Sequence, residues 1–251
     1  MKHVALFAGL GGFMQATNNL GIDTVWANEI DSNCCKVLRE NFNESVIVEK
    51  SVTDINEVDL SALDANIDLL TAGFPCQSFS QAGGGEIKGF KDERGQLFFE
   101  IPRIIALMKK PPKVVLLENV PTLKIFDKGS ILKTVMNKMR FAGYWVSEKN
   151  TKILSAAEYG GSPQTRERLF VVCAHKDVFK NNPFDFSSLT KIPKTDVFQI
   201  VNRESRVSDR HYLDKDNKYY KMIENLSKKQ GKERLFQIRR VEARACPPGT
   251  C

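Results

Sequence analysis

The chain has 251 residues, 42% hydrophobic and 27% charged, enough for one large α/β domain plus a smaller appendage, and no apolar run approaches the roughly 20 residues a membrane-spanning helix needs. Its net charge of +7 is uneven: residues 1–175 hold 20 of the 37 basic and 20 of the 30 acidic side chains, so the whole excess falls in residues 176–251, as expected of a neutral body whose basic tail meets a polyanion. A merely solvated basic surface fits the charge alone equally well. The six cysteines show no CxxC spacing and Met1-Lys2-His3-Val4 leads straight into an apolar run, which points to a reduced, cytoplasmic setting without a disulfide framework or signal peptide.

In chain order, Val4-Ala5-Leu6-Phe7 reads as a buried strand, Ala8-Gly9-Leu10-Gly11-Gly12 as a tight turn, and Phe13 to Leu20 as a helix. This is the opening of a nucleotide-binding βαβ unit, in which glycines admit close backbone approach and the helix amino end offers free N–H groups. Position 14 is Met, so the dinucleotide fingerprint is incomplete and NAD is disfavoured. The next strand, Thr24 to Ala27, ends at Asn28-Glu29-Ile30-Asp31. A carboxylate at that strand end suits a ribose diol, held by two hydrogen bonds to Glu29, with Ile30 against an adenine face, while Asp31 caps the helix Ser32 to Asn41. A short strand, Val46 to Val48, precedes Thr53-Asp54-Ile55, where Asp54 is placed to accept an adenine amino proton.

The apolar run Ile67 to Ala72 is ended by Gly73-Phe74-Pro75-Cys76-Gln77-Ser78-Phe79-Ser80. A strand so terminated delivers Cys76 to the carboxyl edge of a sheet, placed like a nucleophile. Residues 81–90 are glycine-rich without apolar periodicity, as a closing loop or an ordinary linker would be. A helix is expected from Asp92 to about Met108, then a buried strand Lys113 to Leu117 ending at Glu118-Asn119-Val120-Pro121, where burial would raise the Glu118 pKa. The helix Gly129 to Phe141 has core spacing at Ile131, Leu132, Val135, Met136 and Met139. Trp145 to Ile153 and Arg168 to Cys173 read as strands. Before the latter stands Gln164-Thr165-Arg166-Glu167-Arg168, of whose arginines one is expected to reach the site and the other to brace it. Arg234 to Arg244 alternates basic and apolar residues, as a strand presenting arginines such as Arg239 and Arg240 to a groove would.

Five stretches, Phe7 to Phe13, Asn28-Glu29, Gly73 to Ser80, Glu118-Asn119-Val120 and Gln164 to Leu169, together resemble the cytosine-5 DNA methyltransferases of bacterial restriction–modification systems, in that family's order and over residues 1–175. The resemblance implies an α/β fold with a doubly wound, mostly parallel, Rossmann-like sheet over residues 1–175 and the start of a small basic target-recognition domain over 176–251. It implies S-adenosylmethionine as cofactor, held by Phe7, Gly9, Leu10, Gly11, Gly12, Glu29, Ile30, Asp54, Ile55, Pro75 and Leu97, with no metal. It implies Cys76 as the nucleophile at cytosine C6, Glu118 as the group that steadies the ring at N3 and the exocyclic amine, Arg168 at O2 with Arg166 in support, and a base rotated out of duplex DNA. Gln77, Ser80, Arg239 and Arg240 would meet the DNA, in a bacterial or phage cytoplasm at the nucleoid. The family's second half is missing from this sequence, so either a second subunit supplies it or the chain is truncated. Two other readings stay open: an RNA cytosine-5 methyltransferase, and an inactive module that binds S-adenosylmethionine or DNA.

Overall fold

A computed structural model of the chain describes residues 1–61, 63, 66–75, 93–200, 208, 212–230, 236–239 and 242–245. The chain opens with β1 (Lys2–Leu6), α1 (Gly12–Asn19), β2 (Asp23–Glu29), α2 (Ser32–Asn41), β3 (Ile47–Glu49) and α3 (Glu57–Leu60). It continues with β4 (Leu69–Ala72), α4 (Glu93–Gln96), α5 (Glu100–Leu107), β5 (Val114–Asn119), α6 (Thr122–Ile125), α7 (Ser130–Phe141), β6 (Tyr144–Trp145), β7 (Thr151–Ser155), α8 (Ala156–Tyr159) and β8 (Glu167–His175). α9 (Lys218–Gln230) and the pair β9 (Phe236–Arg239) and β10 (Glu242–Ala245) follow.

Eight strands form one sheet in the order β3-β2-β1-β4-β5-β8-β6, with β7 pairing to β8 off that path. The β3–β2, β2–β1, β1–β4 and β4–β5 ladders are parallel, whereas β8 runs antiparallel to both β5 and β6. The chain thus has the expected α/β architecture around a mostly parallel sheet. A parallel sheet needs apolar cover on both faces. One face, carrying Val4, Leu6, Leu70, Ala72, Val115, Leu117, Leu169 and Val171, packs on residues of α5 and α7 such as Ile101, Ile104, Leu132 and Met136. On the other face Ala5, Ala27 and Ile47 pack on Met14 of α1 and Cys35 and Leu38 of α2.

The predicted helix Ser32 to Asn41 has those bounds, with Asp31 accepting from the N–H groups of Asn33 (2.8 Å) and Cys34 (3.0 Å) as its cap. All five spaced residues of α7 are buried. Several expectations need correction. The helix read from Asp92 to Met108 is divided by a 3-10 turn at Leu97–Phe99 and ends at Leu107. The strand read from Trp145 to Ile153 is two strands separated by a turn at Glu148–Asn150, where Asn150 accepts from the Ser147 backbone N–H and is buried. A buried asparagine satisfied by its own local turn competes with ladder pairing. The single strand read across Arg234 to Arg244 is instead an antiparallel pair in which Glu242 stands opposite Arg239.

The chain divides into two compact units, one of residues 1–153 and 168–188, the other of residues 154–167 and 189–251. Residues 176–188 stay with the first because they are tied to it: Trp145 Nε1 donates to the Phe179 carbonyl (2.9 Å), Asn150 Nδ2 to Asn182 Oδ1 (2.8 Å) and Lys152 Nζ to the Phe186 carbonyl (3.3 Å). A boundary drawn at 175 therefore falls inside the first unit. In the second unit, α8 meets residues 191–195 through the Ile192 N–H on the Glu158 carbonyl and a Lys191–Glu158 ion pair, each at 2.9 Å. Among the described residues no helix is long and apolar enough to cross a membrane.

Candidate active site

The carboxyl ends of β1, β2, β4 and β5 lie side by side in the first unit, where open α/β sheets bind ligands. β1 stops because Phe7 adopts a left-handed conformation (φ 53°), followed by Gly9 (φ 56°) and Gly11 (φ 85°). For phenylalanine that conformation costs about 1–2 kcal/mol, so the loop must be held from outside. Ala8 N–H bonds the Asn28 carbonyl (2.9 Å), Gly11 N–H the Ala8 carbonyl (2.9 Å), and Gly9 N–H the Glu29 carboxylate Oε2 (2.7 Å). Glu29 Oε1 also accepts from the Ile30 (2.8 Å) and Asp31 (2.9 Å) N–H groups. Glu29 is thereby the pin between the glycine turn and the end of β2. An ionised carboxylate accepts at about four sites; with three of them taken, one position on Oε2 is open to a hydroxyl. The second ribose bond expected from the sequence requires one of these three N–H groups to turn away.

Around this pin, Leu10 is 67% and Ile30 66% exposed, large apolar side chains held out at a strand edge. A Cβ built at Gly9 or Gly12 meets nothing within 4 Å, whereas one at Gly11 would stand 2.6 Å from Phe42 and 2.9 Å from Leu38. The turn thus shows open backbone on one side and closes tightly on α2 on the other, a cradle that fits an adenosyl group. Asp54 is exposed at the end of a 3-10 turn, Val52–Asp54. Arg103 fixes that turn, donating from Nη1 to the Ile55 carbonyl (2.8 Å) and from Nη2 to the Val52 carbonyl (2.9 Å). Ile55 itself is 1% exposed, and its side chain belongs to the main core. Leu97 is half-buried and packs on the main core.

At the ends of β4 and β5, Asn119 is the organising side chain. It is buried, donates from Nδ2 to the Phe74 carbonyl (3.1 Å) and accepts the Val120 N–H on Oδ1 (2.8 Å). Phe74 packs at 5.4 Å from Phe98. The turn Gly73 to Pro75, which leads into Cys76, is therefore held by Asn119 of β5 on one side and by Phe98 of the 3-10 turn on the other. Glu118, one residue earlier, reaches over it: its Oε2 would lie 3.4 Å from a Cβ at Gly73. Arg168 of β8 donates from Nε to Glu118 Oε1 at 2.8 Å, with the side chains 21% and 24% exposed. The arrangement is a half-buried ion pair, formed because β8 pairs antiparallel to β5 and sets Phe170, two residues past Arg168, opposite Glu118. Arg166 precedes β8 and is exposed; its carbonyl accepts the Ala156 N–H (2.9 Å) within the second unit.

The structure thus brings together Phe7, Gly9, Gly11, Glu29 and Ile30 at one edge, and Pro75, Glu118 and Arg168 at the neighbouring strand ends. Cys76, Gln77, Ser80, Arg240 and the glycine-rich loop lie outside the described residues, and Arg239 is described as backbone in β9. Among the described residues no cluster of three or more His, Cys, Asp or Glu side chains could hold a metal ion. Asn119, Arg103 and the Phe7 conformation were not singled out by sequence reasoning. The Asn was legible only as a motif letter, and neither of the others leaves a composition signal.

Comparison with known proteins gives the chain's family and relatives. The family described as C-5 cytosine-specific DNA methylase matches residues 1–244. The chain is 38% identical over 209 residues to the Type II methyltransferase M.HhaI of Haemophilus parahaemolyticus, covering 80% of this chain and 60% of that protein. It is 32% identical over 255 residues to M.Bsp6I of a Bacillus strain, covering 100% of this chain and 76% of that one. Among solved structures, the Entamoeba histolytica methyltransferase EhMeth shares the fold, with a TM-score of 0.65 at 22% identity over 86% of this chain and 63% of that chain. The chain spans 60%, 55% and 49% of the length of three of its curated relatives.

Proposed function

The chain belongs to the C-5 cytosine-specific DNA methylase family, and from that premise we propose that it is the catalytic part of a DNA (cytosine-5-)-methyltransferase of a restriction–modification system. The observation that carries the reading is the Glu118–Arg168 pair at the strand ends beside the anchored Gly73–Pro75 turn, since a cytosine ring needs an acceptor and a donor on its polar edge.

S-adenosylmethionine, when bound, supplies the methyl group as an electrophile. Glu29 Oε2 would accept a ribose hydroxyl, Ile30 and Leu10 would cover its apolar parts, and the Gly9 to Gly12 backbone would approach its methionine portion. Asp54 would accept the adenine amino proton. Duplex DNA is the polyanionic substrate, with Gln77, Ser80, Arg239 and Arg240 toward it and the target cytosine rotated out of the stack.

In this reading the Cys76 thiolate forms a bond to cytosine C6, and the displaced ring electrons raise the nucleophilicity of C5 and the negative charge at N3. Glu118 shares a proton at N3 and accepts from the exocyclic amine, while Arg168 donates to O2 and holds Glu118 in register. C5 takes the methyl group as the donor's sulfur–methyl bond breaks to leave a neutral thioether; loss of the C5 proton to water then restores the double bond and expels Cys76 as thiolate, N3 hands its shared proton back to Glu118, and the enzyme is returned unchanged.

The test is transfer of labelled methyl from S-adenosylmethionine to duplex DNA by the purified chain, with and without a relative's remaining portion added. Incorporation that falls about 10²-fold or more in Glu118→Gln is expected, the range for a positioned acid–base group. Labelling of tRNA in place of duplex DNA, or incorporation indifferent to Glu118→Gln, overturns the reading.

A further inference from the structure

The 3-10 turn Val52–Asp54 presents the exposed Asp54 carboxylate on a backbone that does little to hold itself. The Asp54 N–H bonds the Ser51 carbonyl (3.0 Å) and the Ile55 N–H the Val52 carbonyl at a long 3.4 Å, and the Ser51 side chain does not cap the turn. One isolated turn of this kind is marginal by itself, since it fixes several dihedrals for very few bonds. What fixes it comes from α5, about 50 residues on. Arg103 donates from Nη1 to the Ile55 carbonyl and from Nη2 to the Val52 carbonyl, bonds that straddle Asp54, and Glu100, one helical turn earlier, takes the Nε hydrogen. A guanidinium is a rigid planar fork that keeps its charge. With Glu100 setting its plane, it fixes the two carbonyls relative to each other. The side chains of Val52 and Ile55 enter the main core, so Thr53 and Asp54 face outward between two held peptide groups. Thr53 Oγ1 donates to Asp54 Oδ1 (3.3 Å), and Asp54 Oδ2 takes no hydrogen bond among the described residues.

We propose that Arg103 is a positioning residue of the cofactor site, which makes the chain select an amino-bearing purine by fixing the backbone beneath the Asp54 carboxylate. The inference rests on the reading of Asp54 as acceptor of the adenine amino proton. A carboxylate discriminates an amino group from a carbonyl oxygen through one hydrogen bond that the second ligand turns into a repulsion between acceptors. That bond counts in full only when its acceptor is in place before the ligand arrives, because ordering a loose turn offsets its free energy. Without the guanidinium, the Val52 and Ile55 carbonyls lose their shared donor and the peptide groups on either side of Asp54 are free to rotate. The core packing of the Val52 and Ile55 side chains remains, so the fold persists while the position of the carboxylate does not. Arg103 acts through the turn, its donors being given to Glu100, Val52 and Ile55.

The experiment titrates the purified 251-residue chain with S-adenosylhomocysteine and with S-inosylhomocysteine, which carries a carbonyl oxygen where adenine has its amino group, and reads binding by calorimetry. The wild type should prefer the adenosyl ligand by about tenfold or more, and Arg103→Met should erase most of that preference while the inosyl affinity stays within about threefold. A general weakening of the fold would lower both affinities together and leave their ratio alone. Arg103→Lys, which reaches one carbonyl at a time, should fall between the two and replaces Arg103→Met if that variant melts early. In the ligand-free chain, hydrogen exchange at the Asp54 and Ile55 amides should quicken by about tenfold or more in Arg103→Met, with the β1 amides unchanged. A wild type that binds neither ligand, or both alike, refutes the Asp54 reading on which the proposal stands. A wild type that discriminates, beside an Arg103→Met variant that discriminates equally, overturns the proposal alone, as does unchanged exchange at Asp54 and Ile55.

Discussion

Acidification should destabilise the fold through one residue, His3. It is fully buried in β1, with ring nitrogens 2.8 Å from Thr24 Oγ1 and 2.8 Å from Thr71 Oγ1 and with Thr17 Oγ1 3.2 Å from Nδ1. Its partners are hydroxyls on β2, β4 and α1, with no carboxylate among them, and burial lowers its pKa from 6.5 to about 4. The neutral ring is the folded form. Above pH 6.5 neither state binds the proton; between 6.5 and about 4 the unfolded chain takes it up and the folded one does not, so stability falls as pH falls. The slope is about 1.4 kcal/mol per pH unit, or about 2 kcal/mol between pH 6.5 and 5. Asp59 and Asp68, whose lowered pKa values come from Lys50 and Lys113, titrate below that window. Urea unfolding at pH 7.5, 6.5, 5.5 and 5.0 should show the loss in the wild type, and His3→Gln should remove most of the slope. Equal slopes in the two proteins would refute the argument.

Gly11→Ala should cost about 2–4 kcal/mol, from a left-handed φ and a Cβ driven against Phe42 and Leu38. Gly9→Ala, with the same sign of φ but open space, should cost about 1–2 kcal/mol; thermal melts of the pair decide whether the α2 contact or the φ dominates. Glu29→Ala should weaken S-adenosylmethionine binding by about tenfold or more, measured by titration calorimetry, and unchanged affinity counts against the ribose assignment. Arg168→Lys keeps the charge but not the Nε geometry on Glu118; methyl transfer should drop while the melting temperature stays within a few degrees.

Much of this was legible because the signals were local. Gly-Pro after an apolar run marks the β4 end, Asp31 before an apolar-periodic segment marks the α2 start, and consecutive valines and leucines mark a central strand. What was not legible depends on partners distant in sequence. Phe7 adopts φ 53° only because Asn28 and Glu29, over 20 residues on, hold the loop. Glu118 meets Arg168 directly because β8 returns antiparallel from 50 residues away. Asn150 splits a plausible single strand through hydrogen bonds to Ser147, Asn182 and Phe184, two of which lie outside its window. The same long-range ties keep residues 176–188 with the first unit.

The central claim is that sulfur at position 76 bonds transiently to a pyrimidine carbon. Incubating the chain with S-adenosylmethionine and a duplex containing 5-fluorocytosine, which has no C5 proton to lose, should accumulate a denaturant-stable adduct. Intact mass spectrometry should place it on the peptide containing Cys76, and Cys76→Ser should abolish it. An adduct that maps to another cysteine, or none in the presence of a relative's remaining portion, would contradict the account.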